Sequence, residues 1–301
     1  MRILISGSSG LIGTAVADAL ARDGHTIQRL VRAGSKNEPR SGDVRWDPAS
    51  GELNAAAAEG ADAVVNLAGA SIGEGRWTAT RKELLRASRI SSTRNLIRAL
   101  GKLQKPPRVF LSASAVGYFG NRGDEELTED SAAGNDFLAT LCKDWETEAA
   151  AAEDFGARTI CTRYGIVLAR DGGALPRMVT PFKLGAGGRL GSGKQWMSWA
   201  TLSEVANIVK FVLASDSLSG AVNAVAPQPV RNSEFTKILA AVLHRPAIFP
   251  APAFALKLAL GEMAEGLLLS SQRVQPAHLI AAGYQFQTTE LRAALSEVLA
   301  K

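Results

Sequence analysis

Cysteine, histidine and tyrosine are scarce in this chain of 301 residues, with two, three and three of them. Cys142 and Cys161 have no partner spacing, which excludes a disulfide framework and points to a reducing, cytoplasmic setting. His25, His244 and His278 are scattered, so no metal constellation forms and no metal is expected. Long uncharged apolar runs are also missing. The longest apolar stretch, "APAFALKLALGEMAEGLLL", carries Lys257, Glu262 and Glu265 at helical periodicity, which argues against a membrane span and a membrane partner. Met1 leads straight into a strand-like run, without the basic region and apolar core of a secretory leader. The net charge of +5 comes from basic residues spread along the chain without interleaved aromatics. That pattern reads as a solvated surface, and no nucleic-acid partner is expected.

What is present is the composition of a globular α/β protein, 46% hydrophobic and 21% charged. The chain opens "MRILISGSSGLIGTAVADAL". Ile3, Leu4 and Ile5 form a short β-type run, and from Leu11 onward Ile12, Val16, Ala19 and Leu20 recur at helical spacing. Gly7, Gly10 and Gly13 therefore fall where a buried strand turns into a helix. In a dinucleotide-binding loop the first glycine permits the tight turn, the second lets the backbone approach a pyrophosphate, and the third lets the helix pack closely. The free N–H groups of that helix then face the phosphates. Gly7, Ser9, Gly10, Leu11, Ile12 and Gly13 are the expected cofactor contacts of this loop.

Strand-like and helix-like segments alternate from there. "HTIQRLVR", "DVRWD" and "ADAVVNLAG" are β-type runs, a helix pattern runs from about Thr78 to Ala99, and Pro106-Pro107 precedes the strand "RVFLSAS". A second helix spans roughly Asp136 to Glu153, and "ARTICTRYGIVL" resumes the strand pattern. The alternation predicts an α/β fold: a Rossmann-type, doubly wound parallel sheet with a ligand crevice at the carboxyl ends of its strands. After Leu168 the glycine-rich stretch with Pro176 and Pro181 reads as an excursion. Residues 1–168, rejoined by 201–225, are expected to form the dinucleotide-binding Rossmann domain, with 169–200 and 226–301 forming a small C-terminal substrate lobe.

The motifs "GSSGLIG", "VVNLAGA" and "VFLSASAVGYFG" resemble the extended short-chain dehydrogenase/reductases, the group that includes sugar-nucleotide epimerases. "FLATLCKDWE", "NAVAPQPVRNSEF", "GEMAEGLLLSSQRVQP" and "AAGYQF" resemble more narrowly its atypical, epimerase-like branch that holds family 39U. The resemblance spans nearly the whole chain. It implies a nicotinamide cofactor, oxidoreductase or epimerase-like activity and a small-molecule substrate. Working members of the family carry a serine, then a tyrosine with a lysine four residues later; the tyrosine is the general acid/base and the ammonium lowers its pKa. Ser114 falls on the serine position, and Tyr118 is the tyrosine near it, read either as structural, as pocket lining, or as a substitute acid/base. Where the tyrosine and lysine belong, the chain reads Leu138 and Cys142, or Phe137 and Leu141, depending on alignment. Arg89 stands where the family has an asparagine, and is read as a cofactor-facing group or a solvated helix arginine. A non-enzymatic NADP(H) sensor or scaffold is therefore the rival reading.

Further cofactor contacts follow from position. Arg32 ends "TIQRLVR", where an NAD site places an acid and a 2′-phosphate site an arginine. The next acid, Glu38, comes only after Gly34, Ser35 and Lys36, so NADP(H) is the expected cofactor. Leu67, Ala68 and Gly69 let a cofactor pass close to the backbone after the strand "AVVN", and Ile166 is a contact by resemblance. Tyr164 is read as a wall of the nicotinamide pocket or as core. Trp196 and Trp199 are read as an aromatic substrate face or as packing.

Overall fold

The computed structural model describes residues 1–32 and 41–300. Glu38, together with Gly34, Ser35 and Lys36, lies outside the described residues. Seven parallel strands form the central sheet: β1 (Arg2–Ser6), β2 (Thr26–Arg32), β3 (Val44–Trp46), β4 (Ala63–Asn66), β5 (Val109–Ala115), β6 (Arg158–Tyr164) and β7 (Gly220–Ala224). Their spatial order is β3-β2-β1-β4-β5-β6-β7, so the order reverses between β1 and β4. In such sheets ligands bind in the crevice outside the carboxyl ends, at this reversal.

Both faces are covered, because alternate residues of each strand point to opposite sides. Ile3, Ile5, Val65, Leu111 and Ile160 pack with Val16 and Leu20 of α1 (Leu11–Arg22) and with Val209 and Val212 of the helix Leu202–Ala214. Leu4, Val64 and Phe110 pack on the other side with Leu96 and Leu100 of the helix Ser92–Leu100. Helix starts follow local chemistry. The side chains of Thr78, Asp136 and Thr201 accept hydrogen bonds from the backbone N–H groups of Arg81, Ala139 and Glu204. The long helix expected from Thr78 is continuous in direction but contains a π-helical turn at Ala87–Ser91. Among the described residues no helix is long and apolar enough to cross a membrane.

The segment "ARTICTRYGIVL" is not one strand, contrary to its pattern. It splits at Gly165. β6 ends at Tyr164, and Ile166–Leu168 leaves the sheet to pair in parallel with Trp199–Thr201. The split is steric: a Cβ on Gly165 would sit 2.5 Å from the Ser198 carbonyl oxygen, whose hydrogen bond from the Ile166 N–H (2.8 Å) fixes the new direction. Beyond it, Leu168, Leu175, Phe182, Trp199, Phe235, Leu239 and Leu295 build a further hydrophobic cluster. Trp199 is wholly buried there, which makes it packing and not a substrate face.

Gly165→Ala is expected to cost about 1–3 kcal/mol, because backbone rather than a flexible side chain must give way. Urea unfolding of both proteins checks this, and equal midpoints would contradict the steric account.

Candidate functional site

A cleft of about 510 Å³ opens at the carboxyl edge of the sheet. Its first wall is the glycine loop. Gly7 has φ +69°, and a Cβ there would meet the Leu67 carbonyl at 2.7 Å and the Ala68 nitrogen at 2.9 Å. A Cβ on Gly13 would lie 2.1 Å from the Gly7 oxygen, so only glycine lets α1 approach its own loop this closely. Gly10 precedes α1 without any side-chain cap, which leaves first-turn N–H groups available to an anion. Gly7, Gly10, Leu11, Ile12, Gly13, Leu67, Gly69, Arg89, Ser114 and Ile166 all line this cleft. Ser9 and Ala68 belong to the same two segments without lining it. Arg32 ends β2 with an exposed side chain, also off the cleft wall.

The back of the cleft is tied together by buried polar groups. Ser6 Oγ donates to Asn66 Oδ1 (2.6 Å), Asn66 Nδ2 donates to Thr93 Oγ1 (2.9 Å), and Trp145 Nε1 donates to the same hydroxyl (3.0 Å). Ser114, at the end of β5, donates its hydroxyl to Glu146 Oε1 at 2.6 Å. Glu146 is held in turn by a two-pronged contact from Arg163, at 2.9 and 2.8 Å. Arg163 is 3% exposed. It also donates to the Glu129 carbonyl (3.1 Å) and lies 3.5 Å from the Tyr118 ring centre.

Tyr118 is thus placed away from the cleft wall. A 3₁₀ turn at Val116–Phe119 rotates its ring onto Arg163, and it does not line the cleft. Four residues of sequence separation from Ser114 do not become proximity within the cavity. Leu138, Leu141 and Cys142 do line the cleft, all from the helix Phe137–Ala150, while Phe137 turns to stack edge-on against Trp77. Leu138 and Cys142 are therefore the pair that faces the cofactor crevice. The Cys142 thiol is pushed up to about 12, first by burial and then by the Glu146 charge. Tyr164 lines the cleft as a buried phenol, and burial pushes its pKa up to about 12 as well. Arg89 stands on the π-helical turn and is half-buried against Gly69. Burial holds its pKa below the ordinary arginine value.

A larger cavity of about 900 Å³ adjoins this cleft, the two sharing Leu138, Gly266 and Ser270. Its walls mix aromatic and charged groups, among them Trp77, Phe137, Arg231 and Lys257. Gly191 and Leu269 meet there, and Gln195 Nε2 donates to the Leu268 carbonyl (2.9 Å). Glu146 and Arg163 were not singled out by sequence reasoning. The signal existed: Leu138, Cys142 and Glu146 recur at four-residue spacing, so a carboxylate sits on the inward face of the helix.

Residues 3–224 match the NAD dependent epimerase/dehydratase family, and residues 251–298 match a domain of unknown function, DUF1731. The epimerase family protein ML0860 of Mycobacterium leprae is 42% identical over 294 residues, covering 98% of this chain and 94% of that protein. The human epimerase family protein SDR39U1 is 36% identical over 303 residues, covering both chains fully. A crystal structure of human SDR39U1 (isoform 2) with NADPH matches at a TM-score of 0.89 and 35% identity, over 100% of both chains.

Two outcomes follow from the site. Glu146→Ala leaves Arg163 buried without its counter-ion and is expected to cost about 3–5 kcal/mol in urea unfolding, far more than an exposed ion pair. The Cys142 thiol gives a signed pH dependence. The unfolded thiol ionises near its ordinary value of about 8.5, whereas the folded one keeps its proton to about 12. Between those values the native state binds more protons, so its stability falls as pH rises. Cys142→Ala should flatten that part of the stability–pH curve; an unchanged slope would show that the thiol does not titrate this way.

Proposed function

The chain belongs to the NAD dependent epimerase/dehydratase family, and from that premise we propose that it is an NADP(H)-binding, epimerase-like oxidoreductase of the cytoplasm acting on a small molecule. The observation that carries this reading is the glycine cradle. Side chains at Gly7 and Gly13 would collide with backbone, while the uncapped N-terminus of α1 opens on the cleft. That arrangement fits a pyrophosphate. The SDR39U1 structure with NADPH supports the choice of cofactor. In this reading residues 1–168 and 201–225 hold the cofactor, and residues 169–200 and 226–301 form the lobe that closes over the substrate. The substrate takes the larger cavity beside Leu138 and Gly266.

When bound, the nicotinamide supplies or accepts hydride. This chain's residues must orient it and manage the accompanying proton. Gly69 and Ile166, on the cleft wall, would flank it, and Ser114 offers a hydroxyl from the same wall. The proton is where the reading divides. Leu138 has no acid, burial holds the protons on the Cys142 thiol and the Tyr164 phenol, and the Ser114 hydroxyl already donates its hydrogen bond to Glu146. A positioned acid contributes typically 10²–10⁴-fold to such a step. That commitment of Ser114 favours a second reading, in which the protein binds NADP(H) as a sensor or scaffold with little turnover of its own.

Arg32 is the proposed partner of the 2′-phosphate. NADPH should bind about ten- to hundredfold more tightly than NADH, and Arg32→Ala should abolish that difference. Titration calorimetry with both nucleotides decides it; equal affinities in the unmodified protein would refute an Arg32–phosphate contact. A panel of carbonyl and sugar-nucleotide substrates, followed by NADPH absorbance, separates the two readings, with Ser114→Ala beside the parent.

A further inference from the structure

Arg89 carries a charge that its surroundings do not balance. Its guanidinium donates to the carbonyls of Ala70 (2.9 Å) and Leu85 (3.3 Å) and to the Ser88 hydroxyl (3.4 Å), and it lies 5.3 Å from the Trp145 ring. All of these are neutral. From its own long helix the charge that bears on it is another cation, Arg81. From the facing helix comes the Cys142 thiol, which stays protonated. The carboxylate one turn farther along that helix, Glu146, is taken by Arg163, and Asp144 is taken by Arg86. Among the described residues no carboxylate forms an ion pair with Arg89. A half-buried cation without a counter-ion is costly, and it persists on a π-helical turn, a device frequent at functional sites.

Its place along the cleft gives the charge a meaning. The pyrophosphate belongs at the N-terminus of α1, and the adenosine half extends toward the end of β2. The other half of the dinucleotide must then extend the opposite way, over the ends of β4 and β5. Gly69, Arg89, Ser114 and Cys142 line the cleft on that side. The nicotinamide ring carries a full positive charge when oxidised and none when reduced. The rest of the dinucleotide is the same in both states. A fixed cation beside the ring therefore repels one redox state and is indifferent to the other.

We propose that Arg89 makes the cleft selective for the redox state of its cofactor, so that the protein holds NADPH in preference to NADP⁺. The inference rests on the NADP(H) reading above and deepens it. With an effective dielectric near 20, a cation several ångströms from the ring is worth roughly ten- to fiftyfold in relative affinity. Each factor of ten raises the reduction potential of the bound couple by about 30 mV. Occupancy of the cleft then follows the supply of the reduced nucleotide instead of the total pool, which is the property a redox-responsive binder requires.

The test is calorimetric binding of NADPH and of NADP⁺ to the parent chain, Arg89→Gln and Arg89→Lys, at one ionic strength, with thermal melts to check folding. The parent should prefer NADPH by about ten- to fiftyfold, and Arg89→Lys should keep a preference of at least about fivefold. Arg89→Gln should bring the ratio within about threefold, chiefly by tightening NADP⁺. Parity in the parent overturns the proposal, as does a preference that survives in Arg89→Gln. Equal weakening of both nucleotides in Arg89→Gln also overturns it, because that marks a phosphate contact. If Arg89→Gln does not fold, the parent and Arg89→Lys decide, and parity in either rejects the idea. Failure of the parent to bind either nucleotide would instead refute the NADP(H) reading itself.

Discussion

One ion pair, between the buried Arg163 and the partly buried Glu146, holds the carboxyl edge of the sheet together. Arg163 comes from β6 and Glu146 from the helix Phe137–Ala150, so their two-pronged contact pins helix to sheet beside the cleft. Each end of the pair then recruits more structure. Glu146 takes the Ser114 hydroxyl at the end of β5, while Arg163 takes the Glu129 carbonyl and the Tyr118 face. The Glu129 carboxylate accepts from the backbone N–H groups of Asn223 (3.0 Å) in β7 and Ala277 (3.1 Å). Three sheet strands, a helix and the C-terminal segment thus meet through one polar network. A buried pair of this kind adds little net stability over a well-packed apolar replacement, but losing one member is severe. Its value here lies in position, because it fixes where the β5 end and the crevice helix stand relative to each other.

The opposite wall depends on absence of side chains. Gly7 and Gly13 bring loop and helix so close that a methyl group fits at neither position, and this proximity directs free N–H groups into the crevice. The two walls therefore differ in kind. One offers backbone donors to an anion, and the other offers side chains whose own polar atoms are mostly satisfied within the protein. A ligand binding between them gains most from the first wall and is oriented by the second.

Much of this was legible in the sequence because it is local. The β-type run of Ile3, Leu4 and Ile5, the helix starts near Thr78 and Asp136, and the Pro106-Pro107 turn all depend on residues close in the chain. Glycine spacing identified the loop for the same reason. What escaped is non-local. The spacing of Glu146 from Leu138 and Cys142 puts it on the inward face, but its partner Arg163, seventeen positions on, is visible only in the fold. Gly165 breaks a strand because of Ser198 and Val225, which the strand pattern cannot contain. Among the structural, pocket-lining and acid/base readings open for Tyr118, chain distance from Ser114 cannot choose, because a 3₁₀ turn and a guanidinium decide where its ring goes.

The inward face of the crevice helix presents, on successive turns, an alkyl group at Leu138, a protonated thiol at Cys142 and an ion-paired carboxylate at Glu146. The charged side chain on the cleft wall is Arg89, which packs against this helix at Trp145 and also acts on the Cys142 thiol, where burial and Glu146 outweigh it. A cation beside an acid on one helix lowers that acid's pKa and helps move a proton. In the role proposed for it, Arg89 acts on the charge of the cofactor instead. Interactions present equally before and during a reaction tighten binding without accelerating the step. The electrostatics of this cleft therefore bear on which ligand is held, while the Cys142 thiol and the Tyr164 phenol on its wall, both held to about 12 by burial, release their protons poorly near neutral pH.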